Sequence, residues 1–143
     1  MEVVPFVSEH LRELPDFGQQ DSIVRQFLET LIENRYEEQG PAFTGMASGE
    51  IVGCAGLVEM TQYRAYTWAI IPTQTRKGRF VAFHRAVAKF LSVQTYKRID
   101  AHVALHDTAG HRWAKKLGFK VEVMCRPWAM PDGSALTEYV RWG

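Results

Sequence analysis

From Pro72 to Phe80 the chain reads Pro-Thr-Gln-Thr-Arg-Lys-Gly-Arg-Phe, three cations around one glycine. A strand that feeds such a loop and leaves it as a helix presents backbone N–H groups and a positive helix end, which suits a phosphate-bearing ligand. Arg76, Lys77 and Arg79 add charge-assisted contacts to phosphate oxygens. The alternative is a solvated turn that happens to carry three cations. A nucleic-acid reading is weaker, because a run this short reaches only about two or three phosphates.

Other groups capable of chemistry are scattered. Glu59 ends an apolar strand, where it is either a general base or a solvated strand end. His102 and His106 fall on one face of a later strand together with Asp100, a pattern shared by general bases, metal ligands and solvated side chains. No third metal ligand is set by spacing, so no metal site is assigned. Cys54 and Cys125 lack the paired spacing of a zinc or disulfide framework, and both read as buried, inert thiols in a reducing compartment. Trp68, Trp113, Trp128 and Trp142 read as core or pocket-wall residues.

The elements that must hold these groups are legible. Residues 2–7 form a first strand, and His10–Leu14 a helical turn stopped by Pro15. Asp21 caps a helix with the stripe Ile23, Val24, Phe27, Leu28, Leu31 and Ile32, which Gly40-Pro41 ends. Ala42–Met46 and Ile51–Glu59 are strands joined by a hairpin turn at Ala47-Ser48-Gly49-Glu50, and Ala65–Ile71 is a third. A helix from about Gly78 to Ser92 buries Phe80, Phe83, Val87, Phe90 and Leu91. The strand Arg98–Leu105 alternates cleanly. Asp107 or Thr108 caps the last helix, which Gly118 closes. Strands Lys120–Arg126 and Leu136–Trp142 flank a turn at Pro131-Asp132-Gly133-Ser134. The order β-α-α-β-β-β-α-β-α-β-β implies an α/β (α+β) fold with a mixed sheet, one parallel pair at least, and helical cover.

Bulk properties narrow the function classes. The 143 residues suit one domain, 1–143, and 46% hydrophobic with 23% charged residues is ordinary for a globular chain. A formal charge of +1 disfavours duplex DNA as a whole-surface partner. The start, MEVVPF, is acidic where a secretory leader is basic, and IVGCAGLV is too short to cross a bilayer. A soluble, cytoplasmic-type protein with no membrane partner is expected.

The element order, the basic loop after the third meander strand and the helix ending in KKLGF resemble the GNAT superfamily of acyl-CoA-dependent N-acyltransferases over essentially the whole chain. The resemblance implies a mixed, mostly antiparallel central sheet of six to seven strands flanked by about four helices. It implies acetyl-CoA as co-substrate, no metal, and an amine acceptor, small molecule or protein. Residues Ile70, Ile71, Gln74, Arg76, Lys77, Gly78, Arg79 and Phe80, with Asp107 in the family's Asn position, are its expected cofactor contacts, the backbone of Ile70 and Ile71 polarising the thioester carbonyl. Glu59 and His102 are the candidate bases.

The aromatic strand AYTWAII, the segments HRAVAKFL and RWAKKLGF, and the DGS…EYVRW ending are similar in style to divergent GNAT-like proteins of tailed bacteriophages. That likeness implies a place in the host cytoplasm or a virion, with a virion or host-protein partner. Oligomeric state stays open, a homodimer included. The chain also departs from the family pattern. Thr75 stands for Gln/Arg, Phe80 for the last small loop residue, Gly110 for Ala, and Ala114 for the Tyr that protonates the leaving thiolate. Two readings follow: an acetyltransferase, or a GNAT-fold binding protein without the chemistry.

Overall fold

The computed structural model describes residues 1–15, 17 and 22–143, with the backbone alone at 22–24, 74, 76 and 77. The expected cap Asp21 lies outside the described residues. Strands are β1 (Glu2–Pro5), β2 (Ala42–Ala47), β3 (Glu50–Glu59), β4 (Arg64–Ile70), β5 (Arg98–Ala104), β6 (Lys120–Arg126) and β7 (Leu136–Trp142). Helices are α1 (Ser22–Glu33), α2 (Thr73–Gly78), α3 (Phe80–Ser92) and α4 (Thr108–Lys116). The strand order is β1-β2-β3-β4-β5-β7-β6, mostly antiparallel, with β4 and β5 the parallel pair. The contacts divide into two compact units, residues 1–58 with 68–94 and residues 59–67 with 95–143.

In the first unit, β1 pairs antiparallel with β2 from Glu2↔Met46 to Pro5↔Phe43. The β2–β3 hairpin turns on Ser48 and Gly49, both at positive φ (52° and 76°), the geometry that matches strand twist in a two-residue connection. The small residues of β3 have opposite duties on opposite faces. A side chain at Gly53 would stand 2.7 Å from the Phe83 ring, and one at Gly56 would stand 2.9 Å from the Trp68 ring. Helix α3 therefore lies close on one face through Phe83, Val87 and Leu91, with Phe90 and Phe80 only half-buried. On the other face Trp68 packs edge-on to Phe6 (4.9 Å) and Tyr36 (5.6 Å). From α1, Leu28, Leu31 and Ile32 are buried while Phe27 is exposed.

Helix α1 ends at Glu33, well before Gly40-Pro41. Arg35 takes a left-handed conformation (φ 49°), and a 3-10 turn at Tyr36–Glu38 follows, which lets the Tyr36 ring reach Trp68. The N-terminal turn at Ser8–Leu11 is bound to the same region, because the Ser8 hydroxyl and N–H both donate to Glu37, at 2.6 and 2.7 Å.

In the second unit, Arg64, Ala65 and Tyr66 of β4 pair in parallel with Arg98, Ile99 and Asp100 of β5. Strand β5 pairs along its whole length with β7, from Arg98↔Trp142 to Ala104↔Leu136. Strand β6 sits at the sheet edge, and its register against β7 slips twice. Helix α4 is capped as expected: the Asp107 carboxylate accepts from the Gly110 N–H at 3.0 Å. It ends in a Schellman motif, Gly118 N–H to Lys115 O and Phe119 N–H to Ala114 O, with Gly118 at φ 91°.

Three corrections concern β6, the segment after it and the end of β7. Cys125 is exposed, not buried, because β6 has solvent on most of its length. Trp128, just beyond β6, is 84% exposed, and Trp142, at the end of β7, is 60% exposed beneath the Arg98 guanidinium (5.2 Å). Neither belongs to a core. Cys54 is buried, and burial pushes its thiol up to about 12.

Candidate active site

In the first unit, the basic segment is helical rather than an open loop. Pro72 caps α2, and the Arg79 N–H is taken by the Thr75 carbonyl at 3.0 Å, so that donor is already used. Thr75 faces inward, buried, with its hydroxyl donating to the Val52 carbonyl of β3. This inward, hydrogen-bonded place is what Thr75 takes where the family pattern has Gln or Arg. Arg79 joins α2 to α3. Its guanidinium donates to the Ala47 carbonyl at 3.1 Å and stands 3.8 Å from Glu50, so it braces the β2–β3 turn.

Gly78 has no such duty. It lies within α2, it is not at positive φ, and a side chain there would meet nothing within 4 Å among the described residues. Phe80 opens α3 half-buried, its ring 6.2 Å from that of His84. Ile70 ends β4, and Ile71 follows, half-buried. The side chains of Gln74, Arg76 and Lys77 lie outside the described residues.

In the second unit, Glu59 and His102 are separate. Glu59 accepts a hydrogen bond from the Tyr96 hydroxyl at 2.7 Å, just before β5 begins. That bond, burial and the Glu59 charge push the Tyr96 phenol up to about 12. His102 lies further along β5, its ring 4.9 Å from Tyr66 and edge-on to it. Its Nε2 is 3.6 Å from Glu138 Oε1. His106 follows β5 and is exposed. Asp100 is buried between Arg64 (2.6 Å) and Arg98 (2.7 Å), and Arg98 also holds Glu122. This ion-pair cluster occupies the carboxylate that a metal reading needed beside the histidines. Among the described residues no three of His, Cys, Asp and Glu group as metal ligands.

Helix α4 explains two further departures. A side chain at Gly110 would crowd the Asp107 carboxylate and stand 2.9 Å from Val103, so glycine fits closest there. Ala114 is buried, and its carbonyl accepts the Schellman bond from Phe119. A pair that sequence reasoning missed lies alongside. His111 donates from Nε2 to the Leu105 carbonyl (2.9 Å), which leaves Nδ1 to accept the Tyr139 hydroxyl (2.7 Å). Both ring nitrogens are thus satisfied, and the pair holds α4 to β7.

No protein-family profile matches the chain, and no curated protein matches it in sequence. Solved structures do match in three dimensions. Ard1 of Thermoplasma volcanium is 17% identical over 99% of this chain and 96% of its own, with a TM-score of 0.72. A mutant spermidine N-acetyltransferase of Vibrio cholerae is 14% identical over 99% and 95%, at 0.71. The ribosomal-protein-alanine N-acetyltransferase of Brucella melitensis is 12% identical over 100% of both chains, at 0.69. The chain has the fold of the GNAT N-acetyltransferases. Among the described residues no helix is long and apolar enough to cross a membrane.

Proposed function

We propose that this chain is a GNAT enzyme that transfers the acetyl group of acetyl-CoA directly to an amine, small molecule or protein. The fold supports the reaction class, and Gly78 carries the cofactor assignment. Gly78 is the exposed last residue of α2 with open space where a side chain would stand, which supports close approach of a ligand there.

In this reading the pantetheine arm follows the backbone of Ile70 and Ile71, whose N–H groups polarise the thioester carbonyl. The pyrophosphate is assigned to the segment of Gln74, Arg76, Lys77, Gly78, Arg79 and Phe80, and Asp107 holds the family's Asn position at the start of α4. His102 is the base that takes the amine proton. It is preferred to Glu59, whose carboxylate is held by Tyr96.

A second reading rests on Ala114: with a methyl where a phenol protonates the thiolate, the fold serves binding alone, to a virion or host protein. The test is a thermal-unfolding series with acetyl-CoA. At a hundredfold excess over Kd, mass action raises Tm by roughly 5–10 °C. No shift at millimolar acetyl-CoA sinks the enzyme reading. A shift without CoA release for any amine favours the second.

A further inference from the structure

The geometry points to Glu138 and Arg126 as positioning residues for His102, an inference that rests on the acetyltransferase reading. In the β5–β7 register His102 stands directly opposite Glu138, so the two side chains share a face. Glu138 Oε1 is 3.6 Å from His102 Nε2 and accepts the Arg126 Nε–H at 2.6 Å. Three strands meet on one carboxylate.

Arg126 reaches Glu138 because β6 is irregular. Val123 pairs with Glu138 and Arg126 pairs with Leu136, three residues of β6 against two of β7. Side chains alternate along a strand, so without the extra residue Arg126 would project from the other face. The bulge puts its guanidinium on the face of Glu138 and His102. The Tyr66 ring abuts the imidazole from β4. Nearby, Asp100 and Arg98 of β5, Arg64 of β4 and Glu122 of β6 pair with one another.

The chemical consequence concerns which nitrogen of His102 works. A carboxylate beside Nε2 favours the tautomer with the proton there and leaves the Nδ1 lone pair as the base. At 3.6 Å the pair lies just beyond hydrogen-bond distance, and in this proposal it closes to a hydrogen bond from Nε2–H when substrate arrives. Nδ1 takes a proton from the substrate ammonium, and the neutral amine attacks the thioester carbon. The C–N bond forms, the C–S bond breaks, and the thiolate leaves. The second amine proton passes through solvent to the sulfur, and His102 releases its own to water. Arg126 keeps the carboxylate from swinging out of place.

The test is nitrogen-15 NMR of the imidazoles in the full chain, with His102→Gln identifying the His102 signals. The wild-type ring is expected as the Nε2–H tautomer. Glu138→Ala shifts it toward a tautomer mixture, and Arg126→Ala does so in part. A wild-type Nδ1–H tautomer, or one unmoved by Glu138→Ala, overturns the proposal. With an amine that accepts acetyl, Glu138→Ala lowers kcat on the order of tenfold or more with KM little changed, and Glu138→Asp recovers part of it. An unchanged kcat also overturns it. Failure of the wild type to acetylate anything counts against the parent reading, and the tautomer measurement then decides the His102–Glu138 coupling by itself.

Discussion

Thr75 donates its hydroxyl to the Val52 carbonyl, tying the short helix after β4 to the start of the buried strand β3. Both residues are sealed from water, so an unmet acceptor there has no substitute. Thr75→Val keeps the shape and removes the donor. It is expected to lower unfolding free energy by about 1–3 kcal/mol, read as a fall in the urea midpoint at unchanged slope. An unchanged midpoint would mean that Val52 finds another partner and that α2 is held by packing alone.

Gly78 gives a prediction that separates ligand from fold. Gly78→Ala removes a helix-weakening glycine at a place with open space around it, so Tm in the free protein should hold or rise. The same methyl stands where a pyrophosphate would approach, and the acetyl-CoA-induced rise in Tm should shrink or vanish. A variant that is destabilised, or that keeps the full acetyl-CoA response, refutes the role assigned to this glycine.

What local rules govern was legible beforehand. The Ser48-Gly49 turn, the Asp107 cap, the Gly118 terminus and the bounds of β6 and β7 each depend on a few adjacent residues. What depends on strand order was not. The exposure of Cys125 follows from β6 lying at the edge, and Trp142 ends β7 opposite Arg98, past the last residue that pairs with β6. The partnership of His102 with Glu138 needs the β5–β7 register, and that of Arg126 needs a bulge that no residue type announces. The helical form of Thr73–Gly78 was hidden because its decisive contact, Thr75 to Val52, is 23 residues away in sequence.

The two thiols should behave oppositely. Cys125 is exposed on the edge strand, whereas Cys54 is sealed and burial raises its thiol to about 12, so almost none of it is thiolate near neutrality. A disulfide reagent at pH 8 should titrate one thiol at once in the folded protein and the second only with unfolding. Cys125→Ser should abolish the fast phase. Two fast thiols would contradict the burial of Cys54.

The Tyr96–Glu59 bond supplies the pH-dependence. The Tyr96 hydroxyl donates to the Glu59 carboxylate, and this bond, with burial and the adjacent charge, raises the phenol from 10.0 to about 12. A raised folded-state pKa means that the folded protein keeps a proton the unfolded chain loses. The stabilisation is therefore whole below pH 10 and is lost as pH climbs from about 10 to about 12. In an ultraviolet titration of the wild type, where burial also raises the Tyr36 and Tyr139 phenols, the late-ionising group should include Tyr96. Glu59→Gln removes the charge that holds the proton and should return Tyr96 toward the ordinary range. It should also flatten the alkaline loss of Tm, while leaving the melting temperature at neutral pH within a few degrees, as suits a partly exposed pair. If Tyr96 ionises outside the late group in the wild type, Glu59 is free of it, and the preference for His102 over Glu59 as the base loses its physical ground.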